Sequence, residues 1–176
     1  IEAPFLSDHE LVSYFSIQTD SEGISYSPPD GFLDFYLHFD VPKYFVGHWP
    51  SGKINQRFQT LQTVRQLADS PMYQVTFLDN HDQVAENHKE RIANKLNNKQ
   101  LTEAWGFLID TNTIPCLYYG TEQGLTGAGS HDRFLREAMF DKHSGAEIFN
   151  EKHPIYQKIK KINRSHHNKV TKKPGK

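Results

Sequence analysis

Three short apolar runs, each bounded by turn residues and separated by segments of helical spacing, constrain this chain most. Gly31 to Phe39 reads as a strand that follows the turn Pro28-Pro29-Asp30-Gly31. Tyr73 to Leu78 reads as a second strand, entered through Asp69-Ser70-Pro71. Ile114 to Tyr119 reads as a third, closed by Gly120, with Pro115 at its start, where a missing N–H is tolerated. Between the first two runs Ile54, Phe58, Leu61, Val64 and Leu67 recur at helical spacing, and between the second and third Leu101, Ala104, Trp105, Leu108 and Ile109 do so. A last helix opens at Pro154 and carries Ile155, Ile159 and Ile162 on one face. Strand alternating with helix is the rhythm of parallel βαβ units, and strands this continuously apolar suit a sheet covered by helices. No glycine-rich phosphate loop follows any strand, which leaves a dinucleotide or P-loop site without support.

The bulk properties exclude more than they assert. A chain of 176 residues suits one domain or a piece of a larger one. Its net charge of -1 gives no electrostatic case for nucleic acid or an anionic membrane. No stretch approaches the roughly 20 apolar residues needed to span a bilayer. The single cysteine, Cys116, excludes an internal disulfide. Ten histidines are scattered without ligand-like spacing and read as surface or core residues rather than a metal site. The first residue is Ile1 and no signal peptide is visible, so the natural start is expected upstream.

The second strand ends abruptly in Asp79-Asn80-His81-Asp82, four residues that hydrogen-bond or titrate. In an α/β barrel catalytic groups sit where strands end, at the C-terminal face. A polar turn is the alternative, since Asp and Asn are ordinary turn residues.

The run Phe77-Leu78-Asp79-Asn80-His81-Asp82 resembles the aromatic-x-x-Asn-His-Asp motif of the α-amylase superfamily, glycoside hydrolase family 13, which ends the seventh strand of a (β/α)8 barrel. Ile114 to Gln123 is similar to that family's eighth-strand motif. Gly31-Phe32-Leu33-Asp34-Phe35 is similar to its sixth-strand segment, and Gly129, Asp132, Arg136 and Met139 resemble its glycine-rich loop-to-helix segment. Asn-His-Asp alone is a weak signal; four matches in family order are a strong one. The resemblance implies an α/β fold: the C-terminal part of a (β/α)8 TIM barrel, about strands six to eight with their helices. Residues 1–165 would then be a partial catalytic barrel and residues 166–176 a basic, disordered tail.

The same resemblance implies a retaining α-glucosidase or α-amylase-like enzyme that hydrolyses or transfers α-glucosidic linkages. Its partner would be an α-glucan or maltooligosaccharide. Asp82 matches the family's third carboxylate, the transition-state stabiliser that grips two sugar hydroxyls. His81 matches the histidine that contacts the same hydroxyls, and Asn80 either joins them or fixes the loop through its amide. Glu2 is either the general acid at the end of the fifth strand or an ordinary exposed residue at a frayed terminus. No segment like the family's fourth-strand motif occurs, so the nucleophile lies outside this chain and the fragment alone is expected to be inactive. No cofactor or metal site is implied for this chain, because the segments that hold calcium in the family are absent from it. A non-catalytic relative serving as a sugar-binding or protein-association module is the competing function, and an unrelated α/β binding domain the third.

Other residues carry paired readings. Tyr118 and Tyr119 suit a sugar platform or barrel packing. Asp132 and Arg136 suit a helix-surface ion pair at i and i+4. Trp105 reads as core. Glu122, at the start of the loop after the third strand, suits a functional role or a loop hydrogen bond. Many family members carry an arginine a few residues after Asn-His-Asp; here the next basic groups are Lys89 and Arg91.

Overall fold

A computed structural model describes residues 8–48, 50–67, 72–82, 89–141, 144–145 and 147–171. The chain forms two compact units, Ile1–Thr76 and Phe77–Lys176. The first begins with helix α1 (Asp8–Tyr14) and a hairpin of β1 (Gln18–Thr19) with β2 (Ser25–Tyr26). Strand β3 (Gly31–Leu33), helices α2 (Phe35–Phe45) and α3 (Ser51–Leu67), and strand β4 (Tyr73–Phe77) follow. Strands β3 and β4 are parallel, with Gly31 opposite Tyr73 and Leu33 opposite Val75, as the βαβ reading requires. Leu11, Phe15, Phe32, Leu61, Val64 and Met72 form the buried cluster of this unit. Within it the rings of Phe15 and Phe32 meet edge-on at 5.7 Å.

The first strand is shorter than its apolar run. Residues Phe35 to Phe39 are helical rather than extended. A short apolar run cannot by itself distinguish a buried strand from a buried helix. The deciding group is Asp34, which N-caps α2: its Oδ1 accepts the Leu37 N–H at 3.0 Å. Phe35, His38, Val41 and Pro42 then share the buried side. The other oxygen, Oδ2, accepts from Gln74 Nε2 at 2.7 Å, and Arg65 donates to Gln74 Oε1 at 3.0 Å. Gln74 is thus a buried polar residue of β4 with both ends of its amide satisfied.

The second unit contains β5 (Lys89–Glu90), α4 (Asn98–Asp110), β6 (Ile114–Cys116), β7 (Ala128–Gly129) and α5 (Pro154–Thr171). Strands β5 and β7 pair antiparallel. Asn97 and Gln100 close a capping box at the start of α4. Leu101, Ala104, Trp105, Leu108 and Ile109 are buried, as their spacing indicates, and Trp105 Nε1 donates to Asn163 Oδ1 of α5 at 2.8 Å. Ile155 and Ile159 supply the buried face of α5. That helix outruns its apolar spacing and continues through Thr171, so residues 166–171 are helical rather than an irregular tail. The third strand is also shorter than expected, stopping at Cys116 before the chain turns at Gly120.

Asp34→Ala removes a helix cap and leaves the buried Gln74 amide without its acceptor. Urea denaturation is expected to show a loss of about 2–3 kcal/mol. A loss below about 0.5 kcal/mol, the size of an ordinary surface change, would mean that neither contact matters.

Candidate active site

Strand β4 runs directly into Asp79-Asn80-His81-Asp82, and the four side chains do different things. Asn80 Oδ1 accepts the Asp82 backbone N–H at 2.8 Å, an Asx turn that fixes the loop through the amide. His81 and Asp82 are exposed, at 59% and 51% of their side-chain surface, and His81 Nε2 lies 3.0 Å from Asp82 Oδ2. This contact is an ion pair only when the imidazole is protonated. The other carboxylate oxygen, Oδ1, accepts from Arg136 Nη2 at 2.8 Å. The His81 ring stands 6.4 Å from that of Tyr118. Glu2, the candidate general acid, lies outside the described residues.

Asp79 faces the other way. It is 2% exposed, and Arg91 Nε lies 2.7 Å from its Oδ2 with the arginine side chain fully buried. The Thr121 hydroxyl donates to the same oxygen at 3.3 Å. Burial pushes the Asp79 carboxyl above its ordinary value, and the Arg91 charge and the Thr121 hydroxyl offset only part of that. Both terminal nitrogens of the guanidinium donate: Nη1 to Leu135 O at 2.9 Å and Nη2 to Tyr119 O at 2.6 Å. The Tyr118 ring packs against it, with the guanidinium carbon 4.6 Å from the ring centroid. Tyr118 also donates its hydroxyl to Leu135 O at 3.1 Å. Burial, first, and then the neighbouring Tyr119 raise its phenol well above the ordinary value, so it remains a donor.

Gly120 completes this packing. Its φ of +81° suits glycine, and a Cβ there would come within 3.1 Å of Arg91 Nη2. Tyr118 is therefore occupied by a cation, while Tyr119 remains exposed at the surface.

Asp132 and Arg136 do pair at i and i+4, at 3.9 Å, but not on the surface of a regular helix. Asp132–Phe134 is a single 3-10 turn, and Arg136 sits 3.9 Å from Asp132 but 2.8 Å from Asp82. Asp132 also engages Lys89, whose ammonium holds the carboxyl below its ordinary value. Arg136 also joins Arg133, Phe134 and Phe140 in walling a cleft of about 540 Å³. Glu122 lies in a 3-10 turn and lines a different cleft, of about 260 Å³, with Tyr156 and Lys160. The structure thus groups Asn80, His81 and Asp82 as a candidate site at the end of β4, joined by Arg136 and backed by Asp79 and Arg91. The sequence signal for Arg91 was present, as the first arginine after the motif, but nothing in the spacing says that it is buried.

No protein-family profile matches the chain. It is 40% identical over 74 residues to a cyclomaltodextrin glucanotransferase from Niallia circulans, a match that covers 42% of this chain and 10% of that protein. It is 30% identical over 143 residues to a beta/alpha-amylase from Paenibacillus polymyxa, covering 76% of this chain and 10% of that protein. The chain thus spans about a tenth of the length of these curated relatives. A solved α-amylase from H. orenii aligns with 97% of this chain and 35% of its own, with a TM-score of 0.65 and 18% identity, a likeness of fold.

A raised Asp79 has a defined consequence for stability. Between the unfolded value of about 3.9 and the higher folded one, the native state holds the proton more tightly than the unfolded state. The contribution is present in full below that window and is lost as pH rises through the folded value. Asp79→Asn removes the titration. Urea denaturation at a series of pH values should show wild type losing stability relative to Asp79→Asn as pH increases through the window. An opposite slope would mean that the Arg91 charge outweighs burial.

Proposed function

Because this chain is a domain of the α-amylase superfamily, glycoside hydrolase family 13, we propose that it supplies the C-terminal part of a (β/α)8 catalytic barrel. The enzyme it serves is a retaining one that hydrolyses or transfers α-glucosidic linkages of α-glucans or maltooligosaccharides. Such chemistry needs a nucleophilic carboxylate and a protonating carboxyl about 5–5.5 Å apart. In this proposal the nucleophile comes from a segment outside the chain, and Glu2 is the protonating residue. The chain itself contributes Asp82 and His81, which bind and distort the sugar at the scissile bond.

The observation that carries this reading is the pair of exposed groups at the end of β4, His81 and Asp82, with facing atoms 3.0 Å apart. A carboxylate has about four lone-pair positions. With Arg136 on one oxygen and His81 on the other, each oxygen retains capacity for a sugar hydroxyl. Its negative charge favours the oxocarbenium character that develops as the bond breaks, an interaction stronger in the transition state than in bound substrate. The neutral imidazole can donate one N–H while its other nitrogen accepts. We place no cofactor in this chain; calcium, which the family binds, would be held by other segments.

The chain by itself is expected to release no reducing sugar from starch. Expressed with the upstream barrel half, it should do so, and Asp82→Asn should then lower kcat/KM by about 10²–10³-fold, as loss of one electrostatic transition-state contact does. His81→Ala removes a single hydrogen-bonding group and should cost about tenfold. Turnover by the isolated chain would refute the missing-nucleophile reading. An intact protein that binds acarbose calorimetrically yet cleaves no glucan would instead mark a sugar-binding relative.

A further inference from the structure

Arg91 contacts neither of the two exposed groups that would meet the sugar, yet it touches every segment that carries or supports them. Its Nε lies 2.7 Å from Asp79, three residues before Asp82 on the same loop. Its Nη1 holds the carbonyl of Leu135, the residue immediately before Arg136, at 2.9 Å. Its Nη2 holds the carbonyl of Tyr119 at 2.6 Å, in the turn whose Thr121 also reaches Asp79. Its backbone N–H donates to Gly127 O at 2.9 Å. The Asp82–Arg136 pair, 2.8 Å long, is therefore built from two loops tied to one planar cation.

We propose that Arg91 is a positioning residue that fixes where the Asp82 carboxylate stands, by locking the Asn80-His81-Asp82 loop and the Leu135-Arg136 turn to one guanidinium. This rests on the reading of Asp82 as a sugar-gripping carboxylate. The guanidinium suits the role because its donors point in fixed in-plane directions and it carries its charge at any pH of interest. Two carbonyls from separate segments accept from Nη1 and Nη2 at once, while the Asp79 carboxylate of a third segment lies in ion-pair contact with Nε. A lysine ammonium places all its donors on one atom and cannot span them. Full burial of the side chain removes competing water, and the Tyr118 ring beneath it prevents the plane from tilting. A carboxylate that must meet two hydroxyls of a distorted ring is sensitive to such placement, since a misplacement of about 1 Å costs about 100-fold in rate.

The test uses Arg91→Lys, with Arg91→Gln as the second variant should the lysine form fail to fold, and Leu108→Ala in α4 as a control that weakens the core elsewhere. Amide chemical shifts of the chain are compared first. The proposal expects changes gathered in residues 79–82, 118–121 and 133–136 for the Arg91 variant and not for the control. In the intact enzyme, assayed well below each variant's Tm, Arg91→Lys should lower kcat by about 100-fold with KM little changed, while Leu108→Ala retains kcat. Unmoved site amides, or a kcat loss no greater than that of Leu108→Ala, would overturn the positioning role. An intact wild-type enzyme inert toward maltooligosaccharides, with the amide pattern as expected, would overturn the functional reading and leave the geometric one standing.

Discussion

One buried cation organises the second unit. Removing a guanidinium from water is expensive, and the cost is met only where its donors find acceptors with good geometry. Around Arg91 two backbone carbonyls accept from the terminal nitrogens and a carboxylate lies in ion-pair contact, all drawn from different stretches of the chain. Each of these loops is largely irregular backbone, with polar groups that no helix or ladder satisfies. By accepting from Arg91, Leu135 and Tyr119 escape that penalty, and the loops acquire a definite shape. The aromatic rings beside the cation complete the enclosure, and Gly120 lies close against both Leu125 and the guanidinium.

The first unit solves a similar problem with a different group. Asp34 is wholly buried, and it ends a strand, starts a helix and anchors a glutamine in the neighbouring strand. One oxygen satisfies the helix terminus and the other the sheet. Such a residue couples local structure to packing, because one carboxylate serves both the helix terminus and the neighbouring strand. Both units thus place a buried charged side chain where a strand gives way to something else.

The exposed loop after β4 divides its labour in the same way. Asn80 turns its amide inward on its own backbone, Asp79 turns toward Arg91, and only His81 and Asp82 face outward. Four consecutive polar residues therefore contain two that build the platform and two that stand on it. Arg136 arrives from a turn more than fifty residues downstream, and it makes the exposed Asp82 part of a pair rather than a solitary charge. Arg136 keeps Asp132 at 3.9 Å as well, across a 3-10 turn rather than along a regular helix. Asp82 is its closer partner, and Lys89 also engages Asp132.

The sequence by itself determined the alternation of strands and helices, the buried faces of α4 and α5, Ile54, Leu61 and Val64 of α3 though not the exposed Leu67, and the motif at the end of β4. Each of these is written in local periodicity or in adjacent residues, which one stretch of chain reads without reference to any other. It did not determine where the first strand ends, because Phe35 to Phe39 is apolar enough for either element and the Asp34 cap decides. Nor did it show how far α5 continues past its apolar spacing. It could not show that Arg91 is buried against Asp79 or that Arg136 approaches Asp82 more closely than Asp132. Those choices join residues separated by 12 and 54 positions, and only the folded chain fixes which donor reaches which acceptor. Side-chain type announces a capacity for pairing, whereas tertiary packing selects the partner by distance, direction and the exclusion of water.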